Sequence, residues 1–193
     1  MAYNITELTR TTAVRSQAYF FDANVWIYYM QNIYALNSLE QLYVDFFDEV
    51  INSRIDPNPT ILMPTILLSE IVNTYLRQVA MKDYIQANGI NTSIDYKRDY
   101  RPTTHFQHAY AQVLDDVFAF EDMFENVNNS TLVANSKFIK SNTNSIDFND
   151  SAYYHYCLEY SKKKPVTFLT NDKDFTVENI HILTNRPELL TLN

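Results

Sequence analysis

Compact apolar runs alternate with segments whose apolar residues recur at helical spacing, and this alternation limits the folds open to the chain. Ala18-Tyr-Phe-Phe21 reads as a buried strand. A helix from Val25 to about Ala35 follows, carrying Trp26, Ile27, Met30 and Tyr34, with Asn24 as its expected cap. A second helix spans Ser38 to Ile51. Ile61-Leu-Met63 is a short strand, and Pro64-Thr65 opens a third helix with Leu67, Leu68, Ile71, Val72, Tyr75 and Leu76 on its apolar face. A long helix is expected from about Thr104 to Asn126, a strand at Thr131–Ala134 and a helix from about Phe148 to Lys162. Strands at Val166–Leu169 and Asn179–Leu183, then a turn of helix begun by Pro187, complete the pattern. Strands alternating with helices predict an α/β fold: three layers, α/β/α, around a central, mostly parallel sheet. A single glycine in the chain argues against a turn-rich all-β fold. Residues 1–193 read as one domain, with a polar leader at about 1–16 and an irregular insertion at about 82–104.

In such a sheet, ligands gather beyond the carboxyl ends of the strands. Asp22 and Asp172 follow strands there. Glu70 and Asp150 lie in the first turns of helices that should pack nearby. Carboxylates crowded together repel, and a divalent cation removes that penalty. Oxygen ligands of this kind suit Mg²⁺ or Mn²⁺, which can activate water and stabilise charge on a phosphate. Each acid also has a local reading. Asp22 can start a turn with Asn24, Glu70 can complement a helix dipole, Asp147 can cap the helix bearing Asp150, and Asp172 with Asp174 can stabilise a polar turn. The weight falls on their order and shared placement.

Net charge is −8, which counts against a binder working by phosphate neutralisation alone and less against a metal-dependent nuclease. One cysteine, Cys157, excludes an intramolecular disulfide and a cysteine zinc site. His105 and His108 lie three apart, and His155 and His181 are isolated, so no zinc pattern emerges. No secretory signal pattern opens the sequence, and the apolar stretch Ile61–Leu68 is broken by Pro64. A cytoplasmic location without membrane association is the expectation.

Four motifs resemble those of the PIN-domain ribonuclease family: Asp22-Ala-Asn-Val-Trp26 after a strand, Pro64-Thr-Ile-Leu-Leu-Ser-Glu70, Asp147-Phe-Asn-Asp-Ser-Ala-Tyr-Tyr154, and Phe168-Leu-Thr-Asn-Asp-Lys-Asp-Phe175. The resemblance covers residues from about 18 to 183. It implies catalysis and metal ligation by Asp22, Glu70, Asp150 and Asp172. Asn24 and Thr170 match positions that shape the site, Asp147 and Asp174 stand as accessory acids, and Ser69 matches a small polar position. It further implies a Mg²⁺- or Mn²⁺-dependent endoribonuclease acting on RNA, similar to VapC-type toxins, with an antitoxin protein as partner and a homodimer as assembly. The chain is longer than the compact toxin pattern because of its insertion.

Within that insertion, Lys97, Arg98 and Arg101 interleave with Tyr96 and Tyr100, a composition that suits single-stranded RNA and equally a solvated loop. The competing function is a catalytically silent PIN-like module binding RNA or protein. A phosphatase with an aspartate nucleophile would need aspartate where Asn24 stands.

Overall fold

The computed structural model describes residues 3–12, 14–31, 36–125 and 146–192. Among the described residues, six strands form one sheet: β1 (Asn4–Glu7), β2 (Ala18–Phe21), β3 (Thr60–Leu62), β4 (Phe124–Glu125), β5 (Val166–Leu169) and β6 (His181–Thr184). Their spatial order is β1-β6-β5-β2-β3-β4, and every neighbouring pair is parallel. The helices are α1 (Ala23–Met30), α2 (Ser38–Ile51), α3 (Thr65–Tyr75), α4 (Met81–Ala87), α5 (Thr104–Phe118), α6 (Phe148–Ser161) and α7 (Pro187–Leu190). The α/β class and the parallel central sheet follow the sequence expectation.

Alternation along β2 shows why three layers form, since successive side chains of a strand face opposite sides of the sheet. Tyr19 and Phe21 point to one side, where Tyr19 meets Phe46 of α2 and Phe21 meets Phe47 of α2 and Trp26 of α1. Phe20 points to the other, against Tyr153 and Tyr156 of α6, and stacks on Phe168 of β5 with centroids 4.6 Å apart. All residues of β2 and β5 are buried, as expected of central strands covered on both faces. Each fully buried aromatic side chain here contributes roughly 1.5–3 kcal/mol of hydrophobic stabilisation.

Local signals place the helix ends. Asn37 caps α2 through the N–H groups of Leu39 and Glu40, and Glu40 reaches back to the Asn37 N–H. The cap of α1 is Asp22, not Asn24: an Asp22 oxygen accepts the Ala23 N–H at 2.7 Å, while Asn24 is exposed in the first turn. Thr65 begins α3 without capping it, Pro64 holding that place.

The ends of the chain and the insertion differ from the expectation. The polar stretch read as a leader contributes β1, an edge strand on β6. Only Ile5 of its four residues is buried, so it carries little apolar pattern. Residues 82–104 are more regular than expected. After α3 the chain widens into a π-helical turn, Leu76–Ala80, and continues as α4, which ends before Gly89 at φ +58°. A second π-helical turn, Tyr96–Tyr100, packs Tyr100 between Tyr84 and Phe106. α5 stops at Phe118, and a 3₁₀ turn then delivers β4 to the sheet edge beside β3. The expected strand Thr131–Ala134, and residues 32–35 of the expected first helix, lie outside the described residues. Among the described residues, no helix is long and apolar enough to cross a membrane.

Candidate functional site

The parallel register pairs Phe21 of β2 with Leu169 of β5, so the two central strands stop level. The ladder runs one step further through the Asp22 N–H to the Leu169 carbonyl at 3.0 Å. Asp22 and Thr170 therefore emerge side by side. Asp22 is only 7% exposed, and Thr170 is fully buried. The Thr170 hydroxyl donates to Asp22 Oδ2 at 2.7 Å and accepts the Asp172 N–H at 2.9 Å. One hydroxyl thus fixes the Asp22 carboxylate and the turn that bears Asp172. Asp172 Oδ1 in turn accepts the Asp174 N–H at 2.8 Å, while the side chain of Asp174 is exposed.

Glu70 comes from α3 and is held from across the sheet edge by α6. Asn149 Nδ2 donates to Glu70 Oε2 at 2.8 Å, and the Tyr153 hydroxyl donates to the same oxygen at 2.5 Å. Asn149 and Tyr153 are four apart, on one face of α6. The Tyr153 ring is itself pinned, 1% exposed and packed on Phe20. With Oε2 engaged by two donors, Oε1 is the oxygen left to face a ligand. Ser69, beside Glu70, is exposed and accepts from Asn73 on its own helix.

Asp150 lies in the first turn of α6, oriented by Asp147, the cap, whose Oδ1 accepts the Asp150 N–H at 2.9 Å. Asp147 therefore has a structural task and stands exposed at the rim.

Electrostatics ties the acids together. Burial, then the charges of Glu70 and Asp172, push Asp22 up to about 7 against the opposing bonds from Thr170 and Ala23. Burial, then the charges of Asp147, Asp22, Asp172 and Glu70, push Asp150 up to about 8. Asp22 and Asp150 thus each lie within electrostatic reach of the other three sequence-derived acids, although the four come from separated segments. Their spacing is looser than a closed coordination sphere: among the described residues, no three of His, Cys, Asp and Glu are close enough together to hold an ion as they stand. The donor set, all carboxylate oxygen with two acids resisting ionisation, has the chemistry that a hard divalent cation relieves.

The basic residues of the insertion lie on the second π-helical turn and at its end, between α4 and α5. Lys97 is exposed, Arg98 pairs with Asp99 at 2.8 Å, and the Arg101 guanidinium lies 5.7 Å from the Phe106 ring centre. Tyr100 is fully buried and Tyr96 is covered by Arg77, so these rings serve packing.

Sequence reasoning missed Asn149 and Tyr153. Their i, i+4 spacing next to Asp150 was a usable signal, but Tyr153 looked like ordinary core. It also missed Arg186, whose Nε donates at 2.6 Å to the carbonyl of Asn171, between Thr170 and Asp172. Comparison of the chain with protein-family models, characterised proteins and solved structures gives no match.

Proposed function

We propose that this protein is a PIN-like endoribonuclease that hydrolyses RNA phosphodiester bonds with Mg²⁺ or Mn²⁺. The observation that carries the proposal is the placement of Asp22, Glu70, Asp150 and Asp172, from four separated segments, around the ends of β2 and β5, where burial first and their neighbouring charges second raise Asp22 to about 7 and Asp150 to about 8. Such an arrangement is costly to a fold and is useful where a cation is to be bound.

In this reading Asp22 and Asp150 are the principal ligands, with Glu70 Oε1 and Asp172 completing the set directly or through water. The bound ion supplies charge neutralisation at the phosphate and a water of lowered pKa. The protein's own residues prepare the site. Thr170 orients Asp22, Asn149 and Tyr153 hold Glu70, and Asp147 fixes the start of α6. Asp22 and Asp150 would have to be ionised to hold the ion, so binding would be favoured as pH rises through about 7 and about 8. Because the acids are spaced more loosely than a coordination sphere, the carboxylates would have to draw together around the ion. The family resemblance extends the proposal to a cytoplasmic, VapC-like toxin acting as a homodimer and silenced by an antitoxin.

Incubating purified protein with single-stranded RNA tests the reading. Cleavage should require Mg²⁺ or Mn²⁺, stop with chelator, and vanish in Asp22→Asn and Asp150→Asn. Equal cleavage by parent and Asp22→Asn would refute it. A second reading, a silent PIN-like binding module, draws on the looseness of the acid spacing. It requires RNA or protein binding that is indifferent to both metal and chelator.

A further inference from the structure

Arg186 stands at the same sheet edge as the acids, in an unusual situation for an arginine. It follows β6, neighbour of β5, and caps α7 ahead of Pro187. Its backbone N–H bonds Thr184 Oγ1 at 3.1 Å, and its Nε bonds the Asn171 carbonyl at 2.6 Å. The stem is thereby tied to the turn carrying Asp172. Asn171 Nδ2 in turn donates to the Tyr28 hydroxyl of α1 at 2.6 Å, and Tyr28 lies within electrostatic reach of both Arg186 and Asp22.

Despite this acidic neighbourhood, Arg186 makes no ion pair among the described residues; the pairs found there belong to Arg54, Arg98 and Lys162. With Nε committed to a carbonyl, neither terminal Nη group has a hydrogen-bond acceptor among the described residues, which leaves their donors for an external one. A guanidinium presents those donors in a planar fork that matches a phosphate. A chain of net charge −8 also needs a fixed cation near its acids if a polyanion is to approach them.

We propose that Arg186 grips a backbone phosphate of single-stranded RNA flanking the one presented to the acids, and so sets the register of the strand. This rests on the ribonuclease reading of the acid site. Lys97, Arg98 and Arg101 are then dispensable for placing the scissile bond.

The test uses full-length Asp150→Asn protein, unable to cleave, and measures its affinity for single-stranded RNA from about 50 to about 200 mM salt. Arg186→Gln is the informative change, because its Nε2 can still donate to Asn171 while the charged head is lost. The slope of log affinity against log salt should become shallower by about 0.7, the value of one phosphate contact on a single strand. Arg186→Lys should restore the slope while weakening affinity. Mn²⁺ binding by Arg186→Gln in the otherwise unaltered chain should be no weaker than the parent's, because the acids lose a neighbouring positive charge while the bond to Asn171 is kept. An unchanged slope in the glutamine variant, or a lysine variant that behaves like it, would overturn the assignment. An Asp150→Asn parent that binds no RNA would instead remove the reading of the acid site, and the Arg186 role with it.

Discussion

Neutralising Asp22 should stabilise the metal-free protein while destroying its activity. Asp22 is raised from 3.8 to about 7. A carboxyl group whose folded pKa lies above its unfolded value contributes stability below the unfolded pKa, and that stability is lost as pH rises through the folded one. At ~1.4 kcal/mol per unit, ionised Asp22 costs the fold about 4 kcal/mol at pH 8 without metal. Asp22→Asn removes that cost. It keeps an acceptor for the Ala23 N–H but sets an amide against Thr170, whose hydroxyl must reorient while still accepting from Asp172. The mismatch costs ~1–2 kcal/mol. The net gain at pH 8 is then roughly 2–3 kcal/mol, equivalent to a rise of about 5–10 °C in Tm. At pH 5 only about one unit of the shift is expressed, so the two terms nearly cancel. Thermal melts in chelator at pH 5 and pH 8 read this directly, and adding Mn²⁺ should stabilise the parent and not the variant. A variant no more stable than the parent at pH 8, or a difference independent of pH, would refute the reasoning.

Other expectations follow from the same contacts. Tyr153→Phe keeps the ring on Phe20 and frees Glu70 Oε2 from one donor; calorimetry should find Mn²⁺ binding weakened on the order of 10–100-fold with the fold intact. Thr170→Val removes a bond that lowers the Asp22 pKa and strands the Asp172 N–H, so denaturant titration should show a loss of about 1–3 kcal/mol and the metal requirement should shift to higher pH. Because Asp22 and Asp150 must both ionise, with values of about 7 and about 8, apparent Mn²⁺ affinity should climb as pH rises and level off only above that range, a trend measured by titration at constant ionic strength. Asn37→Ala breaks the capping box of α2, whose bonds involve none of the four acids; it should cost ~1 kcal/mol in denaturant melts and leave Mn²⁺ binding as it was.

Where burial and periodicity agree, the elements could be read from the amino acids. β2 and β5 are continuous apolar runs because both faces are covered, and α2 buries Tyr43, Phe46, Phe47 and Val50 from a single helical stripe. β1 was hidden because an edge strand with a single buried residue has no such run. The segment after α3 was hidden because a π-helical turn shifts the phase of the apolar residues, so a continuing helix looks like a break. The acids were visible because strand ends and helix starts are positions of known consequence in a parallel sheet. Their supports were harder to see: the i, i+4 spacing puts Asn149 and Tyr153 on one face of α6, but it does not name Glu70 of α3, across the fold, as their shared acceptor. Arg186 was overlooked for the same reason: its significance comes from Asn171, on a neighbouring strand's turn.

Whether these side chains share an ion is decided by diffraction from Mn²⁺-soaked crystals, using the anomalous signal of the metal. The arrangement calls for a peak bonded to carboxylate oxygens of Asp22 and Asp150, with Glu70 Oε1 and Asp172 facing it directly or through water. Crystals that take up no ion there, or a peak that leaves Asp22 untouched, would contradict it.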